Sequence, residues 1–219
     1  MKRNFYFGLF TVLSCLFSAA ALAQKSIEEG KIVYEISFPE NDFDEQTLAM
    51  LPTQSTMYFK GNISRTELSM AMGMENASIY DGKSGKVTTL TNMMGNKTYM
   101  TMDDTQDKGK AEKPEIVNTD ETKTIAGYLC KKSIMKMKDG SSLELYHTDK
   151  ISSTMSGVPN SKELGGFPLE FSINQMGFKM KFIAQSVAAE KVSDELFKVP
   201  SDYKFVTPDD MRKMYGGGN

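Results

Sequence analysis

MYFKGNISRTELSMAMGMENASIYDGKSGKVTTLTNMMGNKTYMTM, residues 57–102, is a run of short segments of alternating polarity that are separated by glycine-bearing turns. At Leu68, Met70, Met72 and Met74 a large apolar residue occupies every second position. This period of two predicts a strand with one apolar and one polar face. The spacing of the turns suits hairpins between antiparallel neighbours. The stretch is therefore predicted to be an antiparallel meander, which the rest of the chain extends or covers.

Strand patterns continue on both sides of this meander. Before it, apolar residues alternate from Ile32 to Phe38, and a short amphipathic helix is expected at Phe43–Leu51. After it come an outgoing strand within 122–138, a return strand at 141–148 and a long hairpin within 167–184. A helical turn is expected at 193–197. A last short helix should run from Thr207, with proline at its first position, to about Tyr215.

These patterns predict about nine to eleven strands and a few short helices. A sheet of that many one-sided strands needs closure, a second sheet or helices laid across it. The predicted fold class is mainly β with short α, a strongly curved antiparallel sheet or half-barrel that covers short helices. Residues 24–219 are expected to form one domain. Residues 103–119, rich in charge and poor in apolar side chains, are expected to be a mobile loop within it.

The first 23 residues have the pattern of a secretory signal peptide. Lys2 and Arg3 precede an apolar run that ends in Ala21-Leu22-Ala23, after which cleavage is expected. A lipoprotein signal ending at Cys15 is the less favoured alternative, because Leu13 is a poor residue two places before a lipid-bearing cysteine. We therefore expect a periplasmic protein whose mature chain has no transmembrane segment.

Charge and cysteine content narrow the range of partners. Removing Lys2 and Arg3 from the 26 basic residues leaves 24 against 28 acidic ones, a formal net charge of −4 for the mature chain. The charges are interspersed without a basic stripe, so nucleic acid is not an expected partner. Cys130 is the sole cysteine after the signal peptide, so no internal disulfide can form. A small buried side chain is favoured over a reactive thiol or a metal ligand.

The single histidine, His147, limits the catalytic possibilities, because a base for a serine or cysteine nucleophile would have to be this residue. It shares the strand phase of Leu143 and Leu145, where a histidine of the core or of a pocket edge is the simpler interpretation. A hydrolase that pairs it with Cys130 stays open. No nucleophile elbow or phosphate loop is present, so we predict no catalytic residues, no cofactor and no enzymatic activity.

The chain has 17 methionines, all but Met1 in the mature part, and three interpretations of them stay open. They can fill irregular gaps of a core, or line an apolar cavity that accepts variable ligands. They can also bind Cu(I) through thioethers at Met70, Met72, Met74 and Met93-Met94. Copper is the least favoured of the three, because no histidine or cysteine stands beside these methionines.

Three segments carry a resemblance to a known family. They are IYDGKSGKVTTLTNMMGNKTYMTM (79–102), TKTIAGYLCKKSIMKMKDGSSLELYHTD (122–149) and VSDELFKVPSDYKF (192–205). Together they resemble an uncharacterised family of exported bacterial domains of unknown function. That family is similar in turn to the periplasmic lipoprotein carriers of the LolA/LolB-like fold, in which a half-open barrel wraps helices and holds acyl chains. The resemblance implies this fold and brings no catalytic residues with it.

We therefore predict an exported, non-enzymatic binding protein for a hydrophobic or lipid-like ligand or a lipidated partner protein. The alternatives are a methionine-rich Cu(I)-binding protein and a structural or interaction module that uses an exposed strand edge. No metal site is predicted. The residues predicted to line the apolar concavity are Leu68, Met70, Met72, Met74, Met100, Met102, Met135, Met137, Leu143, Leu145, Phe171, Phe178, Met180 and Phe182.

Overall fold

A computed structural model describes residues 26–103, 114–137, 140–155, 164–175 and 178–210, with the backbone alone for Met72, Gln175 and Phe178. These ranges contain twelve strands, one short α-helix and, at 208–210, the start of a second helix. The strands are β1 (Glu29–Ser37), β2 (Gln54–Lys60), β3 (Ile63–Ser69), β4 (Met74–Asp81), β5 (Lys86–Met93), β6 (Asn96–Asp103), β7 (Glu115–Ile125), β8 (Tyr128–Lys136), β9 (Ser142–Thr148), β10 (Phe167–Gln175), β11 (Phe178–Ala188) and β12 (Lys204–Phe205), and the helix is α1 (Glu45–Leu48).

All twelve strands belong to one sheet, in the order β12-β6-β5-β4-β3-β2-β1-β11-β10-β9-β8-β7. The pairings among β1 to β11 are antiparallel, and the two-residue β12 adds to β6 in parallel. The sheet curls strongly without closing. Lys123 of the edge strand β7 reaches Glu170 of β10, with Nζ 2.5 Å from Oε2, although β8 and β9 lie between them in the sheet. The predicted fold class, a strongly curved antiparallel sheet with few short helices, is confirmed.

The main core lies on one face of this sheet, which we call the inner face. It is the face of Ile32 and Met57, which are register partners on β1 and β2 and are fully buried. Tyr34 packs edge-on against Phe171 and Phe182 on β10 and β11, the next two strands of the sheet, and Phe59 of β2 stacks on Phe167 of β10 with ring centroids 6.3 Å apart, although β1 and β11 lie between them. Strands β1, β2 and β7–β11 therefore bury their inner face against one another, and the sheet itself supplies most of the cover that short helices were expected to provide.

A second, smaller core lies on the opposite, outer face of β3–β6. Ala77, Ile79 and Leu90 are its buried members. Ala77 is the register partner of both Glu67 and Leu90, so these three residues share one face. Thr66, the neighbour of Glu67 in sequence, pairs with Met57 and therefore lies on the opposite, inner face with the main core. The buried apolar side of the sheet therefore changes from the inner to the outer face between β2 and β4.

The chain from Leu196 to β12, which we call the C-terminal segment, covers this second core, which we call the outer cluster. Phe197, Val199 and Tyr203 pack against it, and β12 then pairs with β6. Polar contacts hold the segment in place. The Arg65 guanidinium donates to the Leu196 carbonyl at 3.1 Å, and the Lys97 ammonium lies 2.6 Å from an Asp202 carboxylate oxygen.

The prediction of one strand through Leu68, Met70, Met72 and Met74 is wrong. Strand β3 ends at Ser69, a 3₁₀ turn occupies Ala71–Gly73, and β4 begins at Met74. The Met70 N–H donates to the Met74 carbonyl at 2.9 Å, which closes the reversal. The turn forms because Gly73 adopts φ +70°, a left-handed conformation that costs glycine little.

The outgoing strand expected within 122–138 is instead a hairpin. Ala126 and Gly127, at φ +48° and +83°, form the two-residue turn between β7 and β8. Strand β7 also begins at Glu115, so the last five residues of the predicted loop 103–119 belong to it. Four of them, residues 115–118, pair with β8 before a bulge that follows Asn118. Residues 104–113 of that loop lie outside the described residues.

The helices follow the capping signals of the sequence but cover less than predicted. Asp44 caps α1 by accepting from the Thr47 N–H at 2.7 Å, yet α1 buries none of its residues. The helical turn expected at 193–197 is confirmed as a 3₁₀ turn capped by Ser193. Thr207 and Asp210 cap one another where the last helix begins. The continuation of that helix, the signal peptide and the predicted turn at 176–177 lie outside the described residues.

Candidate functional site

The inner face of β3–β6 continues the core face of the sheet across four strands. Phe59 of β2 pairs with Ser64 of β3, and Ser64 pairs with Tyr80 of β4. Tyr80 then pairs with Val87 of β5, and Val87 with Met102 of β6. Register partners share a face, so these side chains form one row from the core toward the sheet edge. We call the whole surface the β3–β6 inner face. It consists of Ser64, Thr66, Leu68, Met74, Asn76, Ser78, Tyr80, Val87, Thr89, Thr91, Met93, Asn96, Thr98, Met100 and Met102.

None of these inner-face side chains carries a charge, although a quarter of the whole sequence is charged. Hydroxyl and amide groups fill the centre, and methionines lie toward its borders. The outer face of the same four strands is very different. It carries Arg65, Glu67, Glu75, Asp81, Lys86, Lys97 and Asp103.

This surface is less tightly packed than the main core. Ser64, Tyr80 and Thr98 are buried, Asn96 and Met102 are exposed, and the other members are half-buried. Met102, at 43% exposure, contrasts with Met135 of the main core at 0%. The β3–β6 inner face is therefore partly accessible, whereas the corresponding face of β7–β11 is filled by the protein itself.

The hydroxyl groups at the centre of the face are only partly satisfied. Thr91 Oγ1 donates to Asn76 Oδ1 at 2.9 Å. Thr98 Oγ1 is buried and has no hydrogen-bond partner among the described residues. It borders a cavity of about 10 Å³, the space of roughly one water molecule. The cavity is lined by Thr89, Thr91, Thr98, Tyr99, Met100 and Val206.

The residues predicted to line an apolar concavity divide between two places. Those on β8–β11 belong to or pack against the main core, and the buried ones are Met135, Leu145, Phe171, Met180 and Phe182. Leu68, Met74, Met100 and Met102 lie on the β3–β6 inner face, where Leu68 also packs against the main core. Leu143 packs at the margin of the core, and Met70 and Met137 are half-buried next to turns. The side chains of Met72 and Phe178 are outside the described part.

Cys130 is buried, as predicted, at 0% exposure within the main core. Its Sγ lies 3.5 Å from the Tyr128 carbonyl oxygen. Burial raises the pKa of the Cys130 thiol to about 11, so the reactive thiolate is scarce at neutral pH. These properties favour the interpretation of Cys130 as a small core side chain.

His147 pairs with a residue that the sequence did not single out. Its Nε2 lies 2.8 Å from Ser133 Oγ, and Ser133 Oγ donates to Asn118 Oδ1 at 2.7 Å. Because Ser133 gives its only proton to Asn118, the His147 ring must donate Nε2–H to Ser133 and cannot act as a base toward it. Ser133 is fully buried. The contact therefore favours a structural bridge across β7, β8 and β9.

The environment of the ring keeps His147 neutral. Burial lowers the pKa of His147, the charge of Lys131 adds to this effect, and the charge of Asp149 opposes it. On the other side of the ring, a Cβ added to Gly166 would lie 2.6 Å from Nδ1. Glycine at this position allows the chain that enters β10 to pass directly against the imidazole.

A buried carboxylate ties β7, β10 and β11 together. Glu170, at 6% exposure, accepts hydrogen bonds from Lys123 Nζ at 2.5 Å and Lys181 Nζ at 2.9 Å. Burial alone would raise the pKa of Glu170, but these two lysines outweigh it and the net shift is downward. The sequence pattern carries no signal for this cluster, because its members come from β7, β10 and β11.

The part of the chain that the structure describes contains no group of three or more histidine, cysteine, aspartate or glutamate side chains that could hold a metal ion. Within the same ranges, no helix has the length and apolar character needed to cross a membrane.

Comparison with solved structures shows a shared fold. The structure of PNGF-II matches 86% of this chain at 17% identity with a TM-score of 0.58. The match covers 33% of the PNGF-II chain, so this chain spans about a third of that protein's length. At this identity the likeness concerns the fold alone, a curved antiparallel sheet.

Two further structures match with lower TM-scores. An uncharacterized conserved protein from Thermus thermophilus matches 81% of this chain and 89% of its own, at 10% identity and a TM-score of 0.48. MucB from the Pseudomonas aeruginosa MucA/MucB complex matches 82% of this chain and 58% of its own, at 11% identity and a TM-score of 0.36. No protein-family model and no curated protein matches the chain.

Proposed function

We propose that this protein is an exported, non-enzymatic binding protein that holds a hydrophobic or lipid-like ligand, or the lipid of a lipidated partner, against the β3–β6 inner face. The observation that carries the proposal is the partial exposure of this face. Leu68, Met74, Met93 and Met100 lie half-buried on the same side of the sheet as the main core. Unbranched thioethers adapt their shape to different apolar ligands.

The sequence adds independent support. The N-terminal 23 residues have the pattern of a signal peptide, and the resemblance to the LolA/LolB-like carriers implies a fold that holds acyl chains. Our expectation of no enzymatic activity rests on the sequence and on the donor role of His147 toward Ser133. The periplasm is the compartment that the signal pattern favours.

The test is binding of acyl chains to delipidated protein. We expect saturable binding of a fluorescent fatty-acid probe and displacement of that probe by extracted envelope lipids. Met100→Ser, on the half-buried inner face, should weaken binding. Met94→Ser, at a hairpin tip that is 82% exposed, is the matched control and should leave binding unchanged. Absence of saturable binding by any acyl probe would refute the proposed function.

A Cu(I)-binding function is the second candidate, because one contact favours it. Met74 and Met93 are register partners at the same end of β4 and β5, and Met70 is hydrogen-bonded through its backbone to Met74. Side chains of register partners start about 5 Å apart, so the thioethers of Met74 and Met93 can converge at this end, with the Met70 backbone next to them. Anaerobic Cu(I) titration of the Met70/Met74/Met93 triple leucine variant tests this, and an affinity equal to that of the wild type excludes it.

A further inference from the structure

The β3–β6 inner face has a composition that selects among amphiphiles. Its fifteen register positions carry hydroxyl, amide, thioether and aliphatic groups and no ionisable side chain other than the phenol of Tyr80. An ionic group placed among these side chains loses hydration and gains no counter-ion from them. A neutral hydroxyl group loses less hydration and can exchange hydrogen bonds with the threonines. The surface therefore disfavours charged head groups.

Thr98 supplies a specific point of attachment. The residue is 3% exposed, and its Oγ1 has no partner among the described residues. It borders the small cavity between Thr89, Thr91 and Met100. A buried hydroxyl without a partner is costly, and a ligand group that both donates and accepts would satisfy it. The neighbouring Thr91 is already engaged with Asn76, which leaves Thr98 as the hydroxyl best placed to bind.

Apolar contact is available beside this point. Met100 lies one register row from Thr98, and Leu68 lies on the Thr98 row at the core side of the face. A ligand that places a hydroxyl at Thr98 can therefore lay an acyl or alkyl chain along Met100 or Leu68. The arrangement matches a molecule with a short uncharged polar end and an apolar body.

We propose that the β3–β6 inner face binds an uncharged amphiphile with a hydroxylated head group, of the monoacylglycerol or alkyl glycoside type, whose hydroxyl pairs with Thr98 Oγ1. This inference rests on the proposed function and narrows its ligand class. One charge borders the site, because Lys204 of β12 is the register partner of Thr98 and is exposed at the sheet edge. A carboxylate or phosphate head group held by Lys204 is the competing outcome that the experiment must distinguish.

The experiment compares ligands of equal chain length on delipidated full-length protein. Isothermal titration below the critical micelle concentration would use 1-lauroylglycerol, dodecanoate and dodecyltrimethylammonium. We expect the neutral ligand to bind at least about tenfold more tightly than either charged one. Tighter binding of dodecanoate that is lost in Lys204→Met would overturn the inference in favour of the edge lysine. Equal binding of all three would overturn it while leaving the proposed function standing. Failure of every ligand to bind would refute both.

Paired threonine variants locate the contact. Thr98→Val keeps the shape of the side chain and removes its hydroxyl, so 1-lauroylglycerol should bind about five- to tenfold more weakly. Thr101→Val makes the same change on the outer face of the same strand, where Thr101 is exposed and hydrogen-bonded to Thr88, and should leave binding unchanged. Circular dichroism confirms that each variant is folded. An unchanged affinity in folded Thr98→Val would refute the role of this hydroxyl.

Discussion

Replacing Leu90 by alanine tests whether the outer cluster, and not the methionine-bearing inner face, provides the packing that stabilises β3–β6. Leu90 is 1% exposed, its register partners are Ala77 and Tyr99, and the C-terminal segment covers it. Buried Leu→Ala changes cost about 2–5 kcal/mol. Because the cover is a single irregular segment that can settle into the space, we expect the lower part of this range, about 2–3 kcal/mol.

The matched comparison is Met100→Ala on the next strand and the opposite face. A fully buried methionine contributes about 1.5–3 kcal/mol, so a half-buried one should cost about 1 kcal/mol when truncated. Both values come from urea unfolding followed by circular dichroism, with the slope of the transition checked for constancy. A loss for Met100→Ala equal to or greater than that for Leu90→Ala would refute the assignment of the two faces, and the inner face would then be core.

Four further outcomes follow from the geometry. Gly30→Ala should destabilise by about 3 kcal/mol in urea unfolding, because the new Cβ would lie 2.2 Å from the Ala188 carbonyl oxygen. Cys130 should resist a maleimide at pH 8 in the folded protein and react fully in urea, since it is buried and its pKa is about 11. The stability contributed by neutral His147 should be complete above its ordinary pKa of 6.5 and should decline as the pH falls through its lowered pKa. His147→Gln should flatten this dependence when the free energy of unfolding is measured between about pH 5 and 8. Ionised Glu170 should stabilise above pH 4.5 and less as the pH falls through its lowered pKa, and Glu170→Gln should remove that part of acid unfolding.

One specific result would contradict each of these four predictions. Wild-type stability for Gly30→Ala would mean that β1 and β11 can separate locally at no cost. Fast labelling of folded Cys130 would place it outside the core. An unchanged pH profile in the His147 variant would assign the titration below neutrality to other groups. The Glu170 variant is expected to lose stability at pH 7, because its two lysine partners stay in place without the carboxylate, so only the shape of its acid limb tests the prediction.

Local patterns predicted strand and turn chemistry well where both appear in a short stretch. The helical turn capped by Ser193 and the cap at Thr207 depend on neighbours in sequence, and both are found. The wrong predictions concern sequence patterns that suit two different backbone conformations. Alternating methionines around Gly73 suit a strand, yet a left-handed glycine also suits a reversal, and pairing of β3 with β4 decides for the reversal. The pattern at Ala126-Gly127 does not predict a turn, because alanine is uncommon at φ above zero.

The candidate site was less predictable than the fold, for a physical reason. A period of two separates the two faces of a strand but does not say which face another element will cover. In β8–β11 the apolar face is covered by the curl of the sheet, so Met135 and Leu145 became core. In β4 and β5 the cover is the C-terminal segment, whose contacts with Ile79 and Leu90 span more than a hundred residues of sequence. No local signal joins these elements.

The change of buried face between β2 and β4 connects the fold to the proposed function. A curled sheet that buried its inner face along its whole length would have no open concave surface, and one that buried neither face of β3–β6 would lack the apolar contact needed to hold four strands in place. The outer cluster under the C-terminal segment supplies that contact. It thereby frees the β3–β6 inner face from packing, so threonines and methionines can occupy positions where the rest of the sheet requires aromatic and branched side chains. On this reasoning Leu90 stabilises the surface on which Thr98 and Met100 lie without belonging to it.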